Sequence, residues 1–255
     1  MDEVVQRDVE YSHDGTRMIG ALLAPHGAQG LPGVLLVHDA YGLSDHVLDV
    51  AHRLVGLGHG VFAADVWGGR TRPQRQEEIG PLIGAMVSDR PRWTARLAAA
   101  RAAAAEQPEL DGSALVALGY CFGGSSALEL LRSGADLRGA VSVHGGLDLL
   151  EPDADWSAAR PEASVLVCTG AQDPMATAAQ RTALTDGLSE AGIDWELDLY
   201  SDTRHAFTSP QAKNSPTPDV VAYDARSAAR SWAATTRFLA EQLGPDGPAP
   251  RRAPA

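Results

Sequence analysis

The sequence predicts an α/β fold, a mostly parallel central sheet with helices on both faces. Three observations carry that expectation. Short apolar runs alternate with helical patterns along most of the chain. Most of those runs are apolar at consecutive positions, as strands buried on both faces are. Only the first two candidate strands, VVQRDVEYS and RMIGALLAP, alternate apolar with polar residues, the pattern of an antiparallel hairpin at the start of a sheet.

The elements follow in order. Val34–Val37, within LPGVLLVHD, reads as a buried strand, and an amphipathic helix covers Asp45–Leu57 until Gly58 and Gly60 end it. VFAADVW is the next strand. Gly68–Arg90 breaks the rhythm: it is polar, basic and poor in strand signal, so it is expected as an excursion over the site or a short helix. An Ala/Arg-rich helix spans Arg92–Glu106, followed by strand ALVALGY and a helix after Gly123. Strands GAVSVHG and SVLVCTG, a helix at Thr177–Ala191, strand WELDLY, the loop Ser201–Phe207 and a helix at Asp219–Leu243 complete the pattern. No linker or repeat interrupts it, so one domain is expected over residues 1–243. The tail at 244–255 is Pro/Gly-rich and is expected to be disordered.

Composition excludes several classes of function. A formal charge of −12 disfavours nucleic acid, whose phosphates require a basic surface. No apolar run reaches the roughly 18 residues a membrane helix requires. The N-terminus, MDEVVQRDVE, is acidic and lacks the apolar core of a signal peptide, which makes a cytoplasmic location the expectation. Cys121 and Cys168 are the only cysteines, and a reducing compartment argues against a disulfide between them. No Cys or His pair has zinc-site spacing and no HExxH occurs, so neither a metal nor an organic cofactor is expected.

The sharpest chemical signal is Gly119-Tyr120-Cys121-Phe122-Gly123, directly after an apolar strand and before a helix. It has the form of a nucleophile elbow, G-x-S-x-G, with cysteine in the serine position. The glycines answer a steric demand, because side chains there would meet the neighbouring strand and helix. The turn lifts the sulfur above the sheet, the helix N-terminus favours a thiolate, and Phe122 offers its N–H to a developing oxyanion. A core cysteine in a tight glycine turn gives the same string; the strand-before, helix-after context separates the two. Asp173, in Gly170-Ala171-Gln172-Asp173-Pro174, then lies at the carboxyl end of its strand, where an Asp-Pro turn is the plain reading. His205 follows strand WELDLY and completes the order nucleophile, acid, base. A free thiol is only slightly ionised near neutrality, so it needs an imidazole, and the imidazole needs a carboxylate.

His38 and His144 end strands on the same edge and are candidates to line a pocket. His13, His26, His46, His52 and His59 read as solvated or helix-face residues, and Cys168 as packing within a buried strand.

At VHDAYGL (37–43), GYCFGG (119–124), GAQDP (170–174) and HAFTSP (205–210) the sequence resembles the dienelactone hydrolase family. Arg230-Ser231-Trp232 is similar to the family's late pattern, and the resemblance runs in order over residues 5–243. It implies an α/β-hydrolase fold with Cys121, Asp173 and His205 as a triad, and the backbone N–H of Ala40 as a second oxyanion donor beside Phe122. It further implies hydrolysis of a small-molecule ester or lactone; no nucleic-acid or membrane partner is expected from the charge and hydropathy above, and monomer and homodimer both stay open. Two departures stand out. The family's best-known members read His-Glu where this chain has His38-Asp39, so Asp39 is a thiol-modulating candidate one methylene short, with a turn cap as its plain reading. They also place an arginine for a substrate carboxylate shortly after the histidine, where this chain has Thr208 and Ser209, and a hydroxyl does not replace a guanidinium. Arg70, Arg72, Arg75, Arg90 and Arg204 are candidates to compensate.

Tyr41, Trp67, Tyr120, Phe122 and Phe207, with the two histidines, suggest a partly aromatic pocket. Two other functions compete with hydrolysis. One is a non-hydrolytic step, such as cyclisation or dehydration in secondary metabolism, in the same cavity. The other is a binding protein on a retired hydrolase fold, against which the complete trio argues.

Overall fold

The structure is a computed structural model and describes residues 3–151 and 153–244. The hairpin is present. β1 (Val4–His13) pairs antiparallel with β2 (Thr16–Pro25) across Asp14-Gly15, which take φ of 46° and 70°. A two-residue turn with both φ positive matches the strands' right-handed twist, and Asp-Gly adopts it readily.

Strand and helix then alternate. The elements are β3 (Leu31–Val37), α1 (Asp45–Val55), β4 (Gly60–Ala64), α2 (Gln76–Val87), α3 (Arg90–Ala105), β5 (Leu110–Tyr120) and α4 (Phe122–Arg132). β6 (Gly139–Val143), β7 (Ser164–Gly170), α5 (Ala178–Glu190), β8 (Asp194–Tyr200) and α6 (Ala225–Leu243) follow. All eight strands join one sheet in the order β1-β2-β4-β3-β5-β6-β7-β8. β2 runs antiparallel to both its neighbours, and every pairing from β4 to β8 is parallel.

The consecutive apolar residues of the central strands serve two cores. Leu35, Leu115 and Val165 join Trp93, Leu97 and Leu128 on the face covered by α3 and α4. Their neighbours Val34, Val116 and Leu166 point the other way and join Val47, Leu54 and Phe238 of α1 and α6. Period-two side-chain direction within an all-apolar strand produces this double burial. Among the described residues no helix is long and apolar enough to cross a membrane.

Two boundaries differ in an informative way from the sequence expectation. β4 ends at Ala64 rather than at Trp67 because the Asp65 carboxylate accepts the N–H groups of Ile19, Gly68 and Arg70 at 2.7–3.0 Å, turning the chain out of the sheet. The Gly68–Arg90 excursion contains a helix, α2, in line with the expectation. α6 starts at Ala225, not at Asp219, because Asp224 caps it by accepting the Ser227 N–H. Residues 220–222 instead run beside His205: its N–H donates to the Val220 carbonyl and its carbonyl accepts from Ala222 N–H, both at 3.1 Å. The expected tail lies, from residue 245 onward, outside the described residues.

Trp93 ties the helical layer to the top of the sheet. It is fully buried, donates Nε1–H to Ser126 at 3.0 Å, and stacks on Phe122 with centroids 5.3 Å apart. Trp93→Ala is expected to cost about 3–5 kcal/mol, read from urea unfolding followed by far-ultraviolet circular dichroism.

Candidate active site

The turn between β5 and α4 is the site's foundation. Cys121 takes φ 54° and ψ −120°, a conformation that L-residues occupy only when their surroundings impose it. A Cβ on Gly119 would overlap the Gly123 carbonyl, and one on Gly123 would overlap the Val37 carbonyl at the end of β3. Both glycines are therefore required by close backbone approach, as the motif implies. The Cys121 N–H is shared between the Val143 carbonyl and His144 Nδ1, each at 3.1 Å.

Loops from the ends of β7 and β8 reach the same rim. His205 Nε2 lies 3.1 Å from Cys121 Sγ, and His205 Nδ1 lies 2.9 Å from Asp173 Oδ2. Asp173 Oδ1 accepts the Met175 N–H at 2.8 Å. The imidazole and the carboxylate are buried, whereas Cys121 keeps partial access to solvent. Burial disfavours the charged ring, but charge on the Cys121 sulfur and the hydrogen bond to Asp173 outweigh it and push the His205 pKa up to about 10.

Ala40 and Phe122 both line the cavity at this rim. Ala40, which lines the cavity, makes no hydrogen bond with any described residue. Phe122 N–H is the first of α4 and belongs to the helix-end donors that lack an intrahelical acceptor. A thiol beside a buried imidazole–carboxylate pair is a constellation suited to acyl transfer.

Residues 18–243 match the dienelactone hydrolase family. The chain belongs to that family. It is a hydrolase of the ester- and lactone-cleaving kind. A dienelactone hydrolase-like promiscuous phosphotriesterase from metagenomic libraries is 36% identical, with a TM-score of 0.88 over 94% of this chain and 99% of that one. An Escherichia coli (strain K12) protein named provisionally as a carboxymethylenebutenolidase is 24% identical over 238 residues, covering 91% of this chain and 85% of its own. The uncharacterized protein K02A2.1 of Caenorhabditis elegans is 31% identical over 158 residues, 61% of this chain and 98% of its own.

This dienelactone-hydrolase-family member has a cavity of about 440 Å³ over Cys121. Its walls include Ile79 and Ile83 of α2, so the expected excursion does cover the site. Leu149, Met175 and Val221 close other sides. Of the expected pocket residues, Tyr41 lines the cavity, as does Phe122. His38, Trp67, Tyr120, His144 and Phe207 are all buried and are not among its lining. Their positions are structural. His38 Nε2 accepts the Val66 N–H at 3.0 Å and its Nδ1–H donates to the Asp39 carbonyl, pinning the end of β3 to that of β4. Trp67 packs its ring 4.5 Å from that of Phe122, and Phe207 sits edge-on to Tyr200 and His144. His144 Nδ1 accepts from Cys121, so its proton is on Nε2, which donates to Thr208 Oγ1 at 2.8 Å. Burial, with the adjacent His205 charge, holds the His144 pKa well below its usual value and keeps the ring neutral.

Asp39 makes the turn contact of its plain reading. Its Oδ1 accepts the Tyr41 N–H at 2.8 Å, an Asx turn, and it makes no hydrogen bond to Cys121 among the described residues. None of the five arginines lines the cavity. Arg70 pairs with Asp8, Arg72 with Asp45, and Arg75 with Glu77 and Glu78. Arg90 binds Glu129, Glu151 and the Leu149 carbonyl, and Arg204 donates to the Asp219 carbonyl. The residues that sequence reasoning missed are those walls: Asp148, Leu149, Met175 and the 209–221 loop. Only Gln76, Ile79 and Ile83, spaced to share one helical face, left a readable trace.

Gly123→Ala is expected to destabilise the fold by about 3 kcal/mol or more, because the obstacle is backbone rather than a movable side chain. A thermal melt of the variant beside the parent checks this.

Proposed function

We propose that the chain hydrolyses a small ester or lactone through an acyl-enzyme on Cys121. The observation that carries the reading is the contact series Cys121 Sγ–His205 Nε2 at 3.1 Å and His205 Nδ1–Asp173 at 2.9 Å. In this reading His205 holds the proton that Cys121 releases, and Asp173 fixes the ring with its Nδ1–H outward. The thiolate attacks the acyl carbon and a C–S bond forms. The carbonyl electrons move onto oxygen, which the N–H groups of Ala40 and Phe122 stabilise. The C–O bond then breaks as His205 gives its proton to the departing alkoxide; with a lactone the alcohol stays attached to the acyl group. Water attacks the thioester, His205 takes its proton, and the acid leaves as the thiolate is restored. No cofactor enters these steps, and a cytoplasmic location fits a thiol that must stay reduced.

A second reading, cleavage of neutral phosphotriesters by the same sulfur, is supported by similarity to the promiscuous phosphotriesterase. A 4-nitrophenyl dialkyl phosphate added to the assay reads it directly.

Cys121→Ala should lower turnover of a 4-nitrophenyl ester by roughly 10³-fold or more. The parent quenched during turnover should carry the acyl mass on the Cys121 peptide. Parent-like activity in Cys121→Ala would end this reading.

The pH profile follows from His205. Its raised pKa keeps the ring protonated through neutrality and releases the proton as pH rises through about 10. Acylation by an alkyl ester, whose alkoxide must leave with a proton, should therefore decline above about pH 10. Acylation by a 4-nitrophenyl ester, whose leaving group needs no proton, should not decline there. Rapid-mixing measurement of both across pH 7–11 distinguishes the two profiles (~1 pH unit steps suffice).

A further inference from the structure

The charge around the cavity is one-sided. Its lining includes Gln76, Ser209, Asn214 and Thr217, all uncharged, beside the apolar walls. Among the described residues, and apart from Cys121, His205 and the phenol of Tyr41, the one ionisable lining residue is Asp148, and neither a lysine nor an arginine is in that lining. Three cations are engaged elsewhere: Arg90 and Arg204 as described above, and Lys213 with its ammonium 4.7 Å from the centre of the Tyr223 ring.

Asp148 sits in the short turn Leu147–Leu149 that follows β6. Its N–H donates to the Met175 carbonyl at 3.1 Å, which fixes it beside the loop bearing Asp173. The side chain is exposed at the rim, and it interacts electrostatically with both His205 and Asp173. Among the described residues no lysine or arginine forms a salt bridge with its carboxylate, and the residue belongs to the cavity lining.

A carboxylate-bearing substrate entering this cavity would lose water, find no guanidinium or ammonium to replace it, and meet a second anion at the rim. Desolvating an unpaired carboxylate is costly, and the like charge adds to that cost. An uncharged ester meets neither obstacle. We propose that the site selects uncharged esters and lactones and excludes carboxylate-bearing ones, with Asp148 as the residue that sets this preference. The proposal rests on Cys121 as nucleophile, and it assigns the substrate class to that same site.

The test compares 4-nitrophenyl pentanoate with 4-nitrophenyl hydrogen succinate at pH 8, in the parent, Asp148→Asn and Asp148→Lys. The parent is expected to favour the uncharged ester in kcat/KM by about 30-fold or more. Asp148→Asn should shrink that ratio by about 5–10-fold, and Asp148→Lys should shrink it further, chiefly through KM for the anionic ester. A merely structural role for Asp148 would change both esters alike and leave the ratio fixed. A parent ratio within about threefold, or a ratio that both variants leave unchanged, overturns the charge preference while turnover of the pentanoate through Cys121 stands. Absence of pentanoate turnover in the parent overturns the nucleophile reading itself, and the preference falls with it.

Discussion

The site depends on one backbone constraint, the left-handed turn that Cys121 makes between β5 and α4. A residue at φ 54° does not hold that conformation by its own preference. It is held because the start of α4 lies against the end of β3 closely enough that Gly123 has no room for a Cβ, and Gly119 none against Gly123. The apolar pairing of β3 with β5 brings those backbones together. Core packing thus sets the direction of the sulfur, and stability and chemistry meet at the same few atoms.

That turn would be idle without the two loops that reach it. His205 is buried, and a buried imidazolium needs compensation that Asp173 and the sulfur supply together. The His205 loop is itself held from behind by residues 220–222, which pair with its backbone before α6 begins. This pairing explains why the helix starts later than its apolar pattern suggests. The segment has a prior commitment to the site, and Asp224 can cap the helix only after that commitment ends.

Much of this was legible in the sequence because it is written in local signals. Double-sided strands, the alternating pair of strands at the start and the glycines around Cys121 each reflect a steric or burial rule acting over a few residues. The order of Cys121, Asp173 and His205 was legible because each follows a strand of a parallel sheet, and such strands end at one rim. The cavity walls were not. Asp148, Met175 and the 209–221 loop have no motif, and their roles arise from tertiary proximity alone. The aromatic candidates misled for a related reason. Trp67, Tyr120 and Phe207 lie beside the motifs in sequence, but large apolar side chains gain more from the core than from a solvent-filled cavity, and all three are buried.

The same tertiary logic links two features that looked independent, the histidine at 144 and the threonine at 208. His144 Nδ1 can accept the Cys121 N–H only while its proton is on Nε2, and that proton needs an acceptor. Thr208 Oγ1 is one. An arginine there would be donor-only, so it would oppose the Nε2 proton and favour the tautomer whose Nδ1–H faces the Cys121 N–H. Two donors would then confront each other at the strained turn, inside a buried site where an unmade hydrogen bond is expensive. With His144 supporting the turn, position 208 favours a side chain that can accept a hydrogen bond, which a guanidinium cannot. The residue type at 208 thus answers in part to how this chain holds its own backbone.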